Sequence, residues 1–438
     1  MSEKDESLQW VEVQALQIGM FVELELDWLN HPFPSGRFKI ASQEQIETIA
    51  KIGLSRVRVN LRKSDVPIGD LVQVQRIDAA KTVAAVSAPA QPELEPESAD
   101  QVLQRKALQR IAQEQHSMAL CEERFADAAR QYRQTIEQIP IAPEVAAERC
   151  QTMVNTMLSD MLGDGETIIR LLSSVGRESP SVHPVNVTVL SLLLGKSLGL
   201  AQAELLDLGV AAFLHDIGKG QLPERVRWPQ ENFTTAEYRS YQDHVAYGVQ
   251  MGKKMGLGKA VLQAIAHHHE LIDGSGFPTR VRGESMSLVA RILALVNRFD
   301  NLCNPYQAAS AMTPHEALSL IFSQLKSRFD MSALSAFIRM MGVYPPGSVV
   351  QLNDARFGIV VSVNSVRPLK PKLVVHESGI ARGDAPILDL ETATQFGIRR
   401  SIKPSALPSD ALEFLAPRSR VTYFYERING AQQTQAAQ

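Results

Sequence analysis

The stretch HHHELIDGSGFP, residues 267–278, sets three histidines and a glutamate directly ahead of a turn-forming run of glycine, serine and proline. It closes an ordered series of metal-ligating residue types: His183, then His215-Asp216, then His244, then His267, His268 and His269. Each of them falls on or at the end of an apolar helical pattern. In ELLDLGVAAFLHDIGKG the pattern runs through Leu208, Ala212 and Phe213 into His215 and Asp216, with Gly218 as a stop signal. An imidazole and a carboxylate therefore stand at the mouth of a packed core. A single such histidine is ordinarily satisfied by a neighbouring hydrogen bond. Clustering changes that reading, because five of the ten histidines sit beside another histidine or an aspartate within the helical third of the chain. Neutral imidazoles and a carboxylate suit Mn, Fe, Ni or Zn, and more than four such ligands leave room for two ions.

The helices around this series form one part of a longer chain. At 438 residues, with 45% apolar and 21% charged side chains, the sequence has material for several cores, and its net charge of −3 provides no overall basic field for DNA. Three widely spaced cysteines, Cys121, Cys150 and Cys303, fit a reducing, cytoplasmic setting better than a disulfide framework. The most apolar run, VTVLSLLLGKSLGL, is broken by Lys196 well short of membrane-spanning length, so no membrane insertion is expected.

Alternating short apolar runs and one helical stretch mark residues 1–75 as a small α+β domain. Residues 76–100, rich in Ala, Pro and Glu, read as a linker. A stretch free of Pro and Gly from Gln101 to about Gln138 predicts a long helix over 101–140, with Ile111, Met118, Phe125 and Tyr132 at seven-residue intervals. Two readings stay open for it, packing on its own chain or a homodimer contact. Residues 141–342 are almost wholly helical in pattern, 343–428 switch to β-branched runs that predict a β-rich module, and 429–438 form a polar tail expected to be disordered. The expected fold class is multidomain: a central all-α domain, a small α+β N-terminal domain and a small β-rich C-terminal module.

His215-Asp216 followed by Ile217, Gly218 and Lys219, with HHE and DGSGFP downstream, resembles the HD-GYP subgroup of the HD phosphohydrolases. The likeness covers about residues 165–342 and includes Gly248 after His244 and the ARI of residues 290–292. It implies an all-α domain that hydrolyses the bacterial second messenger cyclic di-GMP to the linear dinucleotide pGpG, and onward to GMP in one outcome. That activity would lower a signal controlling surface attachment, biofilm formation and motility. Carried over position by position, His183, His215, Asp216, His244, His268 and His269 match the metal ligands, and Asn297 stands at a further ligand position. His267 does not match; it is one residue early, rotated about 100° around the helix from His268. The implied cofactors are two divalent ions, Fe or Mn, which would lower the pKa of a shared water and aim it at phosphorus.

Lys219 and Asp216 are the implied catalytic pair, with Lys219 holding a phosphate oxygen or protonating the leaving group. Asp273, Gly274, Gly276, Phe277 and Arg280 are the expected substrate contacts. The glycines allow a sharp turn close to a base, and Phe277 offers a ring for stacking.

The chain departs from the resemblance in several places. Asn297 replaces a usual aspartate and brings no negative charge, although Asp300 lies three residues on along the same helix face. NLCNPYQAAS, around Tyr306, lacks the usual basic residues, leaving Lys219, Arg280, Arg282 or Arg298 to bind phosphate. Phe277 stands for the tyrosine of the subgroup's name, and Leu271 for a usual arginine. Glu178 lies five residues before His183 instead of four, which favours two ions over three. The competing expectation is a degenerate, non-catalytic domain that binds a nucleotide or a signalling protein.

Overall fold

The computed structural model describes residues 8–24, 37–51, 56–60, 63–65, 99–163, 165–172, 180–230, 232–380, 382, 385, 387–418 and 420–428. The linker and tail expectations, and Glu178, lie outside the described residues apart from the last two positions of the linker, which open a helix. The chain divides into two compact units, 1–93 and 94–438.

The first unit holds β1 (Leu8–Glu12), β2 (Phe21–Glu23), β3 (Arg37–Lys39), α1 (Gln43–Lys51) and β4 (Arg56–Asn60). Its strands pair antiparallel in the order β1-β4-β2-β3. Val57 and Val59 alternate inward along β4 and pack with Val22, Ile40 and Ile49 in a separate small core. This is the α+β arrangement expected from the short alternating runs.

The second unit opens with the long helix α2 (Ala99–Gln138), followed by α3 (Pro143–Met161). From Cys121 onward the apolar stripe of α2 is buried on its own chain. Phe125 meets Phe424 edge to face and Tyr132 meets Phe213. Next comes β5 (Glu166–Leu171), a strand inside the stretch whose pattern reads as helical. Its run ETIIRL is short, β-branched and preceded by Gly163 and Gly165, which stop α3 and free the chain to turn.

The helical body continues through α4 (Val182–Ser197), α5 (Gln202–Leu214), α6 (Thr235–Lys254), α7 (Lys259–His267), α8 (Leu288–Cys303), α9 (Pro314–Gln324) and α10 (Met331–Met341). Apolar on nearly every side, α4 is the buried centre of this body, packed against α5, α8 and α10. No helix among the described residues is long and apolar enough to cross a membrane.

The C-terminal segment adds β6 (Val349–Leu352), β7 (Phe357–Asn364), β8 (Lys372–Val375), β9 (Ile387–Asp389), β10 (Ile398–Ser401), α11 (Ser409–Leu415) and β11 (Tyr423–Ile428). They build one antiparallel sheet in the order β10-β6-β7-β5-β11, with β8 on β7 and β9 on β8. Because β5 sits between β7 and β11, the sheet takes in a strand from the helical segment. Tyr423, Phe424 and Tyr425 of β11 join the helical core itself. The multidomain plan of helical centre, N-terminal sheet and C-terminal sheet agrees with the sequence expectation.

Candidate metal centre

Four short segments converge on one carboxylate. His183 is in the first turn of α4, His215 and Asp216 follow the last residue of α5, His244 is midway along α6, and His268 and His269 follow α7. Oδ2 of Asp216 lies 3.5 Å from His183 Nε2 and 3.4 Å from His215 Nε2. Its other oxygen, Oδ1, lies 3.6 Å from both His244 Nε2 and His268 Nε2. Asp216 thus belongs to two ligand sets, one with His183 and His215 and one with His244, His268 and His269.

The orientation of these rings has a local cause. His215, His244 and His268 each use Nδ1 to donate to a carbonyl three residues earlier, at Ala212 (2.7 Å), Tyr241 (2.5 Å) and Ile265 (2.6 Å). That bond fixes the tautomer and leaves Nε2 bare toward the centre. Burial holds the His244 pKa down to about 3 and lowers those of His268 and His269, so these rings stay in the neutral form that can ligate.

His183 is supported differently, through Nδ1 to Asp300 Oδ2 at 2.6 Å. Asp300 is fully buried, and its second oxygen accepts from Asn186 Nδ2 and Asn304 Nδ2, both at 2.9 Å. Asp300 therefore acts from behind His183.

These residues fit divalent ions on two grounds. Asp216 Oδ1 and His269 Nε2 are buried without a hydrogen-bond partner, an unfavourable state that a cation would relieve. In addition, His183 and His215 present Nε2 atoms 3.1 Å apart, and His244 and His268 present theirs 3.3 Å apart. Two nitrogens sharing one ion at about 2.1 Å would be separated by roughly 3.0–3.4 Å for octahedral or tetrahedral angles. His267 belongs to neither ligand set; it is half-buried at the end of α7, with its Nδ1 unpartnered.

Asn297 is buried, but its amide is engaged behind His268. Nδ2 reaches the His268 carbonyl at 3.4 Å, and Oδ1 accepts from Asn301 Nδ2 at 2.7 Å. Lys219 is buried with Nζ 2.6 Å from Asp216 Oδ2, and its ammonium also lies over the rings of Trp228 and Tyr241. Burial opposes its charge, but the Asp216 carboxylate outweighs that effect and raises the lysine pKa. Burial likewise opposes charge on Asp216, and the Lys219 ammonium and His215 outweigh it, holding the carboxyl well below its usual range.

Two close backbone approaches shape the centre. A Cβ on Gly218 would lie 1.9 Å from the His244 carbonyl oxygen, so only glycine lets the His215-Asp216 turn rest on α6 beside His244. A Cβ on Gly276 would lie 2.5 Å from Glu270 Cα and 2.6 Å from the His269 carbonyl oxygen, so the DGSGFP loop folds directly onto the ligand segment. Glu270 ties that loop down, accepting from Thr279 N (2.7 Å), Thr279 Oγ1 (2.8 Å) and Arg280 N (2.9 Å).

The expected substrate contacts divide between shaping the loop and facing outward. Asp273 spends Oδ1 on the Ser275 amide and hydroxyl within the turn, and Gly274 takes a left-handed φ of 78°. Phe277 is partly exposed and stacks on the His269 ring at 4.4 Å, with Tyr238 and Tyr241 at its edge. The Arg280 side chain is exposed.

Three functional supports lay outside the sequence-based site: Asn186, Tyr241 and Trp228. Asn186 could have been noticed as an amide three residues after His183 in an otherwise apolar helix. Tyr241 and Trp228 carry no comparable sequence signal.

Residues 157–333 match the model of the HD domain, and residues 8–150 match a domain of unknown function. A cyclic di-GMP phosphodiesterase of Pseudomonas aeruginosa is 26% identical over 397 residues, covering 89% of this chain and 90% of that protein. A 3′3′-cGAMP-specific phosphodiesterase of Vibrio cholerae is 32% identical over 165 residues, 37% of this chain and 35% of its own length. A cyclic di-GMP phosphodiesterase response regulator of Xanthomonas campestris is 31% identical over 149 residues, 34% of this chain and 39% of its own length.

Proposed function

We propose that this HD-domain protein is a metal-dependent phosphodiesterase that hydrolyses cyclic di-GMP, with Asp216 shared between two ion sites. The observation that carries this reading is the division of Asp216, Oδ2 toward His183 and His215 and Oδ1 toward His244 and His268. Likeness to the Pseudomonas aeruginosa phosphodiesterase over nine-tenths of both chains supports the substrate. Divalent ions held there supply Lewis acidity and a water of lowered pKa.

The chain's own residues do the rest. His215, His244 and His268 are each held in one orientation by the Nδ1 bond to a carbonyl and need no reorganisation to bind a cation. Lys219, cationic and buried beside Asp216, is placed to hold a nonbridging phosphate oxygen. Its raised pKa favours that electrostatic role over giving up a proton. Phe277 offers its partly exposed ring to a guanine, and Arg280 lies on the same loop for a phosphate. Hydrolysis joins a water oxygen to phosphorus, breaks the P–O3′ bond and returns a proton to O3′, opening the ring to pGpG; a second cut would release GMP. Fe or Mn is the proposed metal, and the cytoplasm the proposed location, where loss of the messenger would act on attachment, biofilm formation and motility.

The test is turnover of cyclic di-GMP by purified, chelated protein resupplied with Mn²⁺ or Fe²⁺, with products separated by chromatography. Metal-dependent formation of pGpG is the expected result. Protein that holds two ions yet cleaves no cyclic dinucleotide would overturn the enzyme reading in favour of a binding module.

A further inference from the structure

A line of ring contacts leads away from the metal centre through Lys219. Its Nζ, 2.6 Å from Asp216, lies 5.2 Å from the centre of the Trp228 ring, and Trp228 stacks on Tyr306 with centroids 5.6 Å apart and planes within 4°. The parallel rings join a loop after the His215-Asp216 turn to a loop after α8. Trp228 is partly buried, whereas Tyr306 is 54% exposed.

An aromatic side chain left so open in a stacked pair presents a flat apolar face to solvent. The loop that carries it is tied down at its backbone. Arg420 donates to the backbone carbonyls of Pro305 (3.4 Å) and Tyr306 (3.0 Å), anchoring the loop although the ring stays accessible.

We propose that the Trp228–Tyr306 stack is a platform for one purine base of the substrate, two ring contacts away from the ammonium that holds its phosphate. This rests on the reading of the substrate as a cyclic dinucleotide. Such a molecule carries two bases on opposite sides of a phosphate ring and so can use two separated stacking surfaces at once. Phe277 offers one beside His269, and Tyr306 offers the other beyond Lys219. Stacking of this kind tolerates either purine and favours the larger π-face of a purine over a pyrimidine. The platform thus sets base-size preference and affinity while the metal centre performs the cleavage.

The experiment uses the full-length, metal-loaded protein with cyclic di-GMP and cyclic di-UMP as substrates. Tyr306→Ala is expected to raise KM for cyclic di-GMP about tenfold, with a much smaller change in kcat and unchanged metal content. It should also narrow the preference for cyclic di-GMP over cyclic di-UMP, and Tyr306→Phe should restore both. An unchanged KM and an unchanged preference in Tyr306→Ala would overturn the platform while leaving the phosphodiesterase reading intact.

A second readout needs no turnover. With Trp10→Phe and Trp28→Phe, Trp228 is the sole tryptophan of the three in the chain, and its fluorescence should be quenched saturably by cyclic di-GMP. Quenching without hydrolysis would support the platform and overturn the enzyme reading. Wild-type protein that neither binds nor cleaves would overturn both.

Discussion

The two halves of the metal centre share Asp216 but are built differently. On the His183–His215 side one imidazole is backed by the buried carboxylate of Asp300, and the His183 side chain keeps 17% of its surface exposed. On the other side His244 and His268 are backed only by backbone carbonyls of their own helices, and both are fully buried. The first half thus carries extra negative charge behind its ligand. The second half relies on burial to keep its rings neutral. The contrast shows two physical ways to back a candidate ligand, a carboxylate behind a more open ring and burial around closed ones.

The largest break in this comparison is at the residue common to both halves. Asp216→Ala is expected to abolish metal binding and reduce hydrolysis at least about a thousandfold, measured by metal analysis and turnover. Retention of one full equivalent of metal would show that the halves are independent.

Asp300→Asn acts on the half that holds His183, because its amide oxygen can still accept from His183 Nδ1 while the charge, and the acceptor that Asn186 and Asn304 use, are lost. Metal affinity of that half should fall about 10- to 100-fold, read by competitive chelation as loss of one of two equivalents. Equal weakening of both would mean that Asp300 supports the whole centre.

Acidification separates the halves by a different route. The folded-state pKa of His244 is lowered to about 3 from an ordinary value of 6.5, so between these values the unfolded chain binds the extra proton. Stability of the chelated protein is therefore expected to fall as pH drops below about 6.5 and to continue falling toward about 3. Thermal melts across this range should show a shallower pH slope for His244→Asn. Equal slopes would remove desolvation of His244 as the cause.

The smallest effect belongs to His267→Ala, which should leave metal content and activity nearly unchanged, since His267 stands in neither ligand set. Metal loss as large as that of His268→Ala would contradict the division of the cluster.

Much of the centre was legible because ligand types recur at helix ends in an order that isolated, separately satisfied histidines would not produce. His183, His215, Asp216, His244, His268 and His269 all stood among the candidates on that ground, and the family resemblance set His267 apart from them. Asp300 was visible as a candidate but not its role, since only folding sets it 2.6 Å from a histidine 117 residues earlier. Asn297 poses the same problem in reverse. Its place in the sequence points at the metal, whereas its amide is engaged by Asn301 and the His268 backbone. The strand β5 was hidden because six residues carry too little period to outweigh the helical pattern on both sides, and its partners β7 and β11 lie far along the chain.

By itself the sequence pointed to the clustered candidate ligands, the turn glycines, and the division into sheet, helical body and sheet. These follow from local chemistry: side-chain type, helical period and turn propensity. Tertiary structure alone decided that one carboxylate lies within reach of two candidate ligand sets, that Asp300 stands behind His183, and that Trp228 and Tyr306 stack. Each of these depends on which residues distant in the chain become neighbours, and that is set by packing around α4 rather than by any local pattern.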